Sequence, residues 1–191
     1  MLNSKFIITF FSITLLLITS LSVSAKSSDP IEIVISRSTH ILSIKKGDVT
    51  IERIKVAFGS GGRKAKLKEG DRTTPKGTYR ISKVRDSENF HTFMLLNYPN
   101  MEDAKRALKS ELITRKEYRA ILIAHIEGRM PPQNTALGGT VGLHGIGIET
   151  EEKLEIHQYI DWTKGCIAMR NKEIDKLNFY VQPGTKVTIG D

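Results

Sequence analysis

Cysteine is almost missing from this chain: of 191 residues, only Cys166 carries a thiol. A single cysteine excludes an internal disulfide and any zinc site built on several thiolates. It leaves intermolecular pairing, a reactive thiol, or a small apolar side chain buried in a core. Long apolar runs are also missing after the first residues, so no later stretch can span a bilayer. No glycine-rich loop ends in Gly-Lys-Ser/Thr. The nearest, Gly59 to Gly62, runs into Arg63, Lys64, Lys66 and Lys68 with no helix pattern behind it, which argues against phosphate-loop chemistry. Internal repeats, low-complexity tracts and a second domain are absent as well. Acidic residues are in deficit, 21 against 29 Lys and Arg, for a formal charge of +8. A basic chain suits an anionic partner such as wall polymer, lipid head groups or nucleic acid. Nucleic acid is the poorest fit, because the basic residues are scattered and no binding motif appears.

What is present begins with an address. Lys5 precedes an apolar run over residues 6–21, and Val23, Ser24 and Ala25 offer small residues at cleavage spacing. The expectation is a secretory signal peptide over residues 1–25, a linker over 26–30 and one folded domain over 31–191. The product is then exported to the periplasm or cell envelope, with no stable membrane insertion after cleavage. An uncleaved anchor is the alternative, and a lipoprotein is excluded because no cysteine follows the cleavage site.

Alternating β-branched residues predict strands over 31–35, 41–44, 49–51, 54–58, 78–84, 91–96, 141–145 and 186–189. Asn100 with Asp103, and Thr114 with Glu117, predict two helix starts. A polar helix over 150–160 carries the stripe Leu154 and Tyr159. Another, capped by Asn171, carries Ile174, Leu177 and Val181. The pattern describes one strand-rich domain with peripheral helices.

Cys166 follows Gly165, a residue that lets backbone approach a substrate closely. A thiol nucleophile needs a base, and five histidines compete for the part. His40 lies near a turn, His91 inside a strand, His125 on a helix face and His157 in a charged helical patch. His144 ends an apolar strand and is followed by Gly145, where a side chain can reach a groove; the alternative is an edge histidine. A zinc site from His144, His157 and Cys166 has spacings of 13 and 9 residues, which match no compact ligand pattern.

With those residues in place, the chain resembles the L,D-transpeptidase catalytic domain family of bacterial cell-wall enzymes. That family carries His-Gly and, after a variable gap, Ser/Thr-x-Gly-Cys-Ile/Val-Arg-Met/Leu. Here the pattern stands as His144-Gly145 and Thr163-Lys164-Gly165-Cys166-Ile167-Ala168-Met169. The segment from Gly70 through Asp71, Thr74, Pro75 and Gly77 to Tyr79 resembles a second family motif. One departure is plain: Ala168 replaces the usual arginine, and Arg170 comes two residues later. The residues around Asp161, Trp162 and Asn97 to Asn100 look closer to a divergent branch, part of which is associated with cutting attachments to peptidoglycan.

The resemblance implies a mainly β, sandwich-like catalytic domain with peripheral helices. It implies that Cys166 attacks a peptidoglycan stem peptide at the amide following the L-centre of a diamino acid, with His144 as base and then acid. An amine or water would resolve the thioester. Backbone amides around Gly165 and Cys166 are candidates for the oxyanion hole, and a backbone carbonyl is the candidate to orient His144. Thr163 either supports the loop or histidine or is a plain turn hydroxyl. Trp162 and Tyr98 either line the groove or pack in the core, and Lys164 either meets a substrate carboxylate or is solvated. The chemistry calls for no metal and no organic cofactor. Partners are stem peptides and, for a hydrolase of the same fold, wall-anchored protein. A non-catalytic wall-binding domain is the reading from a different class. Papain-like peptidases fit poorly because they place Cys before His.

Overall fold

The computed structural model describes residues 29–191. The signal peptide and most of the linker expected from the sequence lie outside the described residues.

Strand alternation places every second residue on one face. Strand β1 (Ile31–Ser36) buries Ile33 and Ile35, β2 (Ile41–Lys46) buries Leu42 and Ile44, and β3 (Val49–Lys55) buries Ile54. The three form an antiparallel meander. The separate runs expected over 49–51 and 54–58 are one strand followed by an extension. Residues 56–58 leave β2 and find another partner.

The longest strand, β4 (Gly77–Ser87), serves two partners. Its first four residues pair with β8 (Lys186–Gly190), and the remainder pairs with β5 (His91–Leu96) past an irregularity between Ile81 and Lys83. A bulge of this kind bends a strand so that it turns a corner. β8 also runs parallel to β1, β5 pairs with β6 (Gly142–Gly145), and β6 runs parallel to β7 (Ile167–Met169). The order across the sheet is β3-β2-β1-β8-β4-β5-β6-β7. Ala57, just past β3, exchanges both backbone hydrogen bonds with Ala168 of β7 at 2.9 Å. The two outer strands therefore meet, and the sheet nearly closes into a barrel. Ile33, Leu42, Met94, Leu143, Ile167 and Val187 belong to the continuous core inside it.

Among the described residues, four helices lie outside the sheet. α1 (Met101–Lys109) and α2 (Arg115–Ile126) start with the capping boxes read from the sequence, Asn100 with Asp103 and Thr114 with Glu117. They pack on each other around Ala104, Ala107, Ile113, Ile121 and Leu137. α3 (Glu151–Tyr159) is capped by Thr150, but Tyr159 of its expected stripe is exposed and His157 is the buried residue. α4 (Asn171–Tyr180) buries Ile174 and Leu177, with Arg170 rather than Asn171 at the cap position. Asn171 instead uses its amide to hold the turn after β6, donating to Gly147 O and accepting from Gly147 N.

Candidate active site

Cys166 opens into a cleft of about 400 Å³ between three loops. One wall is the basic loop with Lys66, Glu69, Gly70 and Arg72. A second runs from Leu137 to Val141, and the third is Lys164 and Gly165 beside the thiol. The segment after β3 is tied to the loop that precedes the thiol, with Ser60 N donating to Thr163 O and Thr163 N to Phe58 O. Gly59 must be glycine here. A Cβ at that position would overlap the carbonyl of Arg72 and crowd Gly165.

The loop before the thiol is tied by one hydroxyl. Thr163 Oγ1 donates to Cys166 O at 2.7 Å and accepts from Gly165 N at 3.0 Å. Thr74 Oγ1 approaches the same carbonyl at 3.4 Å and accepts from Gly59 N. Gly165 sits at φ +129, a conformation that favours glycine. This geometry corrects one expectation. The Gly165 amide is spent on Thr163, so it is not free to meet an oxyanion, and the Cys166 amide remains the loop's candidate donor.

The parallel register pairs Leu143 with Ile167 and His144 with Ala168. Leu143 and Ile167 face the core, so His144 faces the other way. Carried back one residue, the register sets Cys166 beside Gly142 on the face that His144 shares. The imidazole is 2% exposed and lies against Phe90, Phe93 and Trp162, with ring centroids at 4.3, 5.9 and 5.9 Å. Its Nδ1 donates to Gly145 O at 2.7 Å, which fixes the tautomer with a lone pair on Nε2. Nε2 has no hydrogen-bond partner among the described residues. It is also absent from the fully buried, unpartnered atoms there, which are only Thr135 Oγ1 and Arg170 Nε.

Burial lowers the His144 pKa from the ordinary imidazole value; the Gly145 carbonyl opposes that shift, and His157 and Lys153 add to it. Cys166 moves the other way. Close packing around the sulfur raises its pKa, opposed by the Gly142 amide and the charge of Lys66. The resting pair is therefore a neutral thiol and a neutral imidazole. Sγ donates to Thr140 O at 3.6 Å and is not hydrogen-bonded to the imidazole. Thr140 holds this carbonyl with φ +55, rare for a β-branched residue, while its amide donates to Gln133 Oε1.

The remaining candidates divide. Trp162 is half-buried against His144 and donates from Nε1 to His157 Nδ1 at 3.4 Å. Lys164 is exposed on the cleft. Gly145 orients the imidazole through its carbonyl. Tyr98 does not line the groove: it is fully buried in the core, and its hydroxyl donates to Leu137 O from beneath the cleft wall. The other histidines have partners elsewhere, His40 with Asp161, His91 with Asp175 and His125 with Pro99 O. No three His, Cys, Asp or Glu among the described residues are placed to hold a metal ion. Thr140, Gly142 and Lys66 escaped the sequence reading because none belongs to a recognisable pattern; they reach the thiol only through the fold.

A family profile for the L,D-transpeptidase catalytic domain (YkuD) matches residues 30–189. Among solved structures, the helical cell shape determining protein Pgp2 from Campylobacter jejuni superposes with a TM-score of 0.53 at 17% identity, over 85% of this chain and 48% of that one. Bd1075 from Bdellovibrio bacteriovorus gives 0.52 at 19% identity, over 87% and 49%. An L,D-transpeptidase fragment from Xylanimonas cellulosilytica gives 0.47 at 14% identity, over 86% and 62%. This chain thus spans about half to three-fifths of those proteins, and at such identities the likeness is one of fold. No curated protein sequence matches significantly.

Proposed function

The chain belongs to the L,D-transpeptidase catalytic domain family, and from that premise we propose that it is an exported cysteine enzyme acting on peptidoglycan stem peptides. The arrangement that carries the reading is His144 on β6, with Nδ1 anchored to Gly145 O and Nε2 free, sharing a sheet face with Cys166 beside β7.

In the proposed cycle the thiol turns from Thr140 O toward Nε2 as substrate fills the cleft. His144 takes the thiol proton while Sγ attacks the amide carbon that follows the L-centre of the diamino acid. The C–N bond breaks, the imidazolium gives its proton to the leaving amine, and a thioester remains on Cys166. An incoming amine or a water then gives a proton to His144, attacks the thioester and frees the thiol. The Cys166 amide is the candidate oxyanion donor, a contribution of about 3 kcal/mol to the barrier. Catalytic hydrogen bonds often tighten only when substrate is bound, so a thiol resting on Thr140 O is compatible with this cycle.

A hydrolase of the same fold is the second reading, cutting cross-links or wall-protein attachments. Ala168 favours it. The family arginine is replaced by a fully buried alanine bonded to Ala57, and Arg170 lies near Glu149 instead. Incubation of wild-type, Cys166→Ala and His144→Ala protein with muropeptides tests both readings. Both readings pass through a thioester adduct on Cys166; transfer then yields new dimers by mass spectrometry, and hydrolysis yields only shortened peptides. If wild-type protein forms neither product, the proposal fails. Export is tested by N-terminal sequencing of protein recovered from the envelope, where Lys26 is the expected first residue. No described helix is long and apolar enough to cross a membrane.

A further inference from the structure

Two cations are buried among the described residues, and they are satisfied to different degrees. Arg37, 1% exposed, spends all five N–H donors: on Asp191 through Nε and Nη2, on Lys64 O and Thr74 O through Nη1, and on Arg63 O through Nη2. Its guanidinium ties the basic loop to the last strand and has nothing left to offer a ligand. Lys66, 5% exposed, differs. Its Nζ donates to Asp71 Oδ1 at 2.9 Å and to Lys68 O at 3.1 Å, and lies 5.9 Å from the Tyr98 ring centroid. An ammonium has three N–H groups. The third has no acceptor among the described residues, and the side chain lines the cleft that holds Cys166.

Lys66 is not needed to hold Asp71 in place. That carboxylate also accepts from the backbone amides of Leu67, Lys68 and Thr73, which already close the turn. A buried ammonium with an open donor carries a desolvation cost that an anion in the cleft would offset. The rest of the lining agrees: Arg72 and Lys164 add two exposed cations against one carboxylate, Glu69. Lys66 also lies near enough to the sulfur to oppose the upward shift of its pKa.

We propose that Lys66 is the specificity-determining residue of the cleft: its free N–H binds an ionised carboxylate on the acyl donor, close to the amide that Cys166 attacks. The enzyme then prefers donors with a free carboxylate over the same peptides amidated there. This rests on the cleft being the acyl-donor site, and it adds a chemical filter that the family assignment does not contain.

Calorimetric binding separates this inference from the proposed reaction, because it needs no turnover. Cys166→Ala protein is titrated with three synthetic stem tetrapeptides. One has all its carboxylates free, one is amidated on the side-chain carboxylate of the diamino acid, and one is amidated at the C-terminus. One carboxamide is expected to bind about tenfold more weakly than the parent. Adding Lys66→Met erases that difference. Adding Asp71→Asn breaks the same ion pair but keeps the cation, and the difference persists. Equal affinity of all three peptides for Cys166→Ala overturns the inference. So does a tenfold gap that survives Lys66→Met, or one that vanishes equally in both variants alongside a shared fall in melting temperature, which marks a loop support. Discrimination in binding without any wild-type turnover sinks the proposed reaction and leaves this inference standing.

Discussion

Thr163 Oγ1 and the carbonyl oxygen of Cys166 lie 2.7 Å apart, and the same hydroxyl accepts the Gly165 amide. Thr163 therefore ties both ends of the turn that presents the thiol, with Thr74 Oγ1 as a longer second donor to the same carbonyl. Thr163→Val keeps the shape and removes both bonds. Its kcat is expected to fall about a hundredfold, the cost of misplacing a reacting atom by about 1 Å. Thr163→Ser restores most of the rate. Steady-state kinetics on a defined muropeptide checks this, and equal rates for Val and wild type would remove the positioning role.

The thiol should behave as an unactivated one until substrate arrives. Burial raises its pKa above the ordinary 9.0, so alkylation by iodoacetamide is slow at pH 7 and still climbing beyond pH 9. Lys66→Met pushes the climb to higher pH, because the charge that favours the thiolate is gone. A rate that is already flat from pH 6 would mean a preformed thiolate–imidazolium pair.

Stability should fall on the acid side of neutrality. His144 and His157 are both buried and both hold pKa values below the ordinary 6.5. The unfolded chain then binds more protons than the native one below pH 6.5, so unfolding free energy is highest above that value and declines as pH drops through it. Melting temperatures from pH 7.5 to 5 measure the slope, and His157→Gln should flatten part of it. A slope left unchanged by His157→Gln would remove that ring as a source of it.

Restoring the family arginine should harm the protein. Ala168 is fully buried, and its backbone is bonded on both sides to Ala57. Ala168→Arg forces a long charged side chain into a position now filled by a fully buried methyl group, at a cost on the order of several kcal/mol. Loss of soluble protein or a large fall in melting temperature is expected. A stable, faster transferase would show that the cleft can accept the family's arrangement.

How much of this was legible in the chain depends on the range of the forces involved. Both capping boxes and most strands rest on local patterns a few residues wide, and they appear where those patterns stand. His144 stood apart from four other histidines because a glycine directly after it and an apolar strand before it are also local signals. β7 was not legible: three residues cannot display a period, and their pairing partners lie more than twenty positions upstream. Tyr98 shows the same limit, since an aromatic beside a proline turn reads alike whether it points into a cleft or under it. Asn171 resembles a cap but serves the turn at Gly147, which is its neighbour only in space. Lys66 sits in a run of basic residues, and nothing in that run marks which lysine folds inward.

The placement of β8 has a bearing on how the molecule comes into being. This strand is among the last segments of the described chain, yet it lies between β1 and β4 and joins them. Until it arrives, both neighbours present bare hydrogen-bonding edges, and the interior stays open to water. Pairings between such distant segments are slow to form. The meander from β1 to β3 and the ladder of β4 with β5 therefore become one closed layer only when a segment far along the chain has slotted between them.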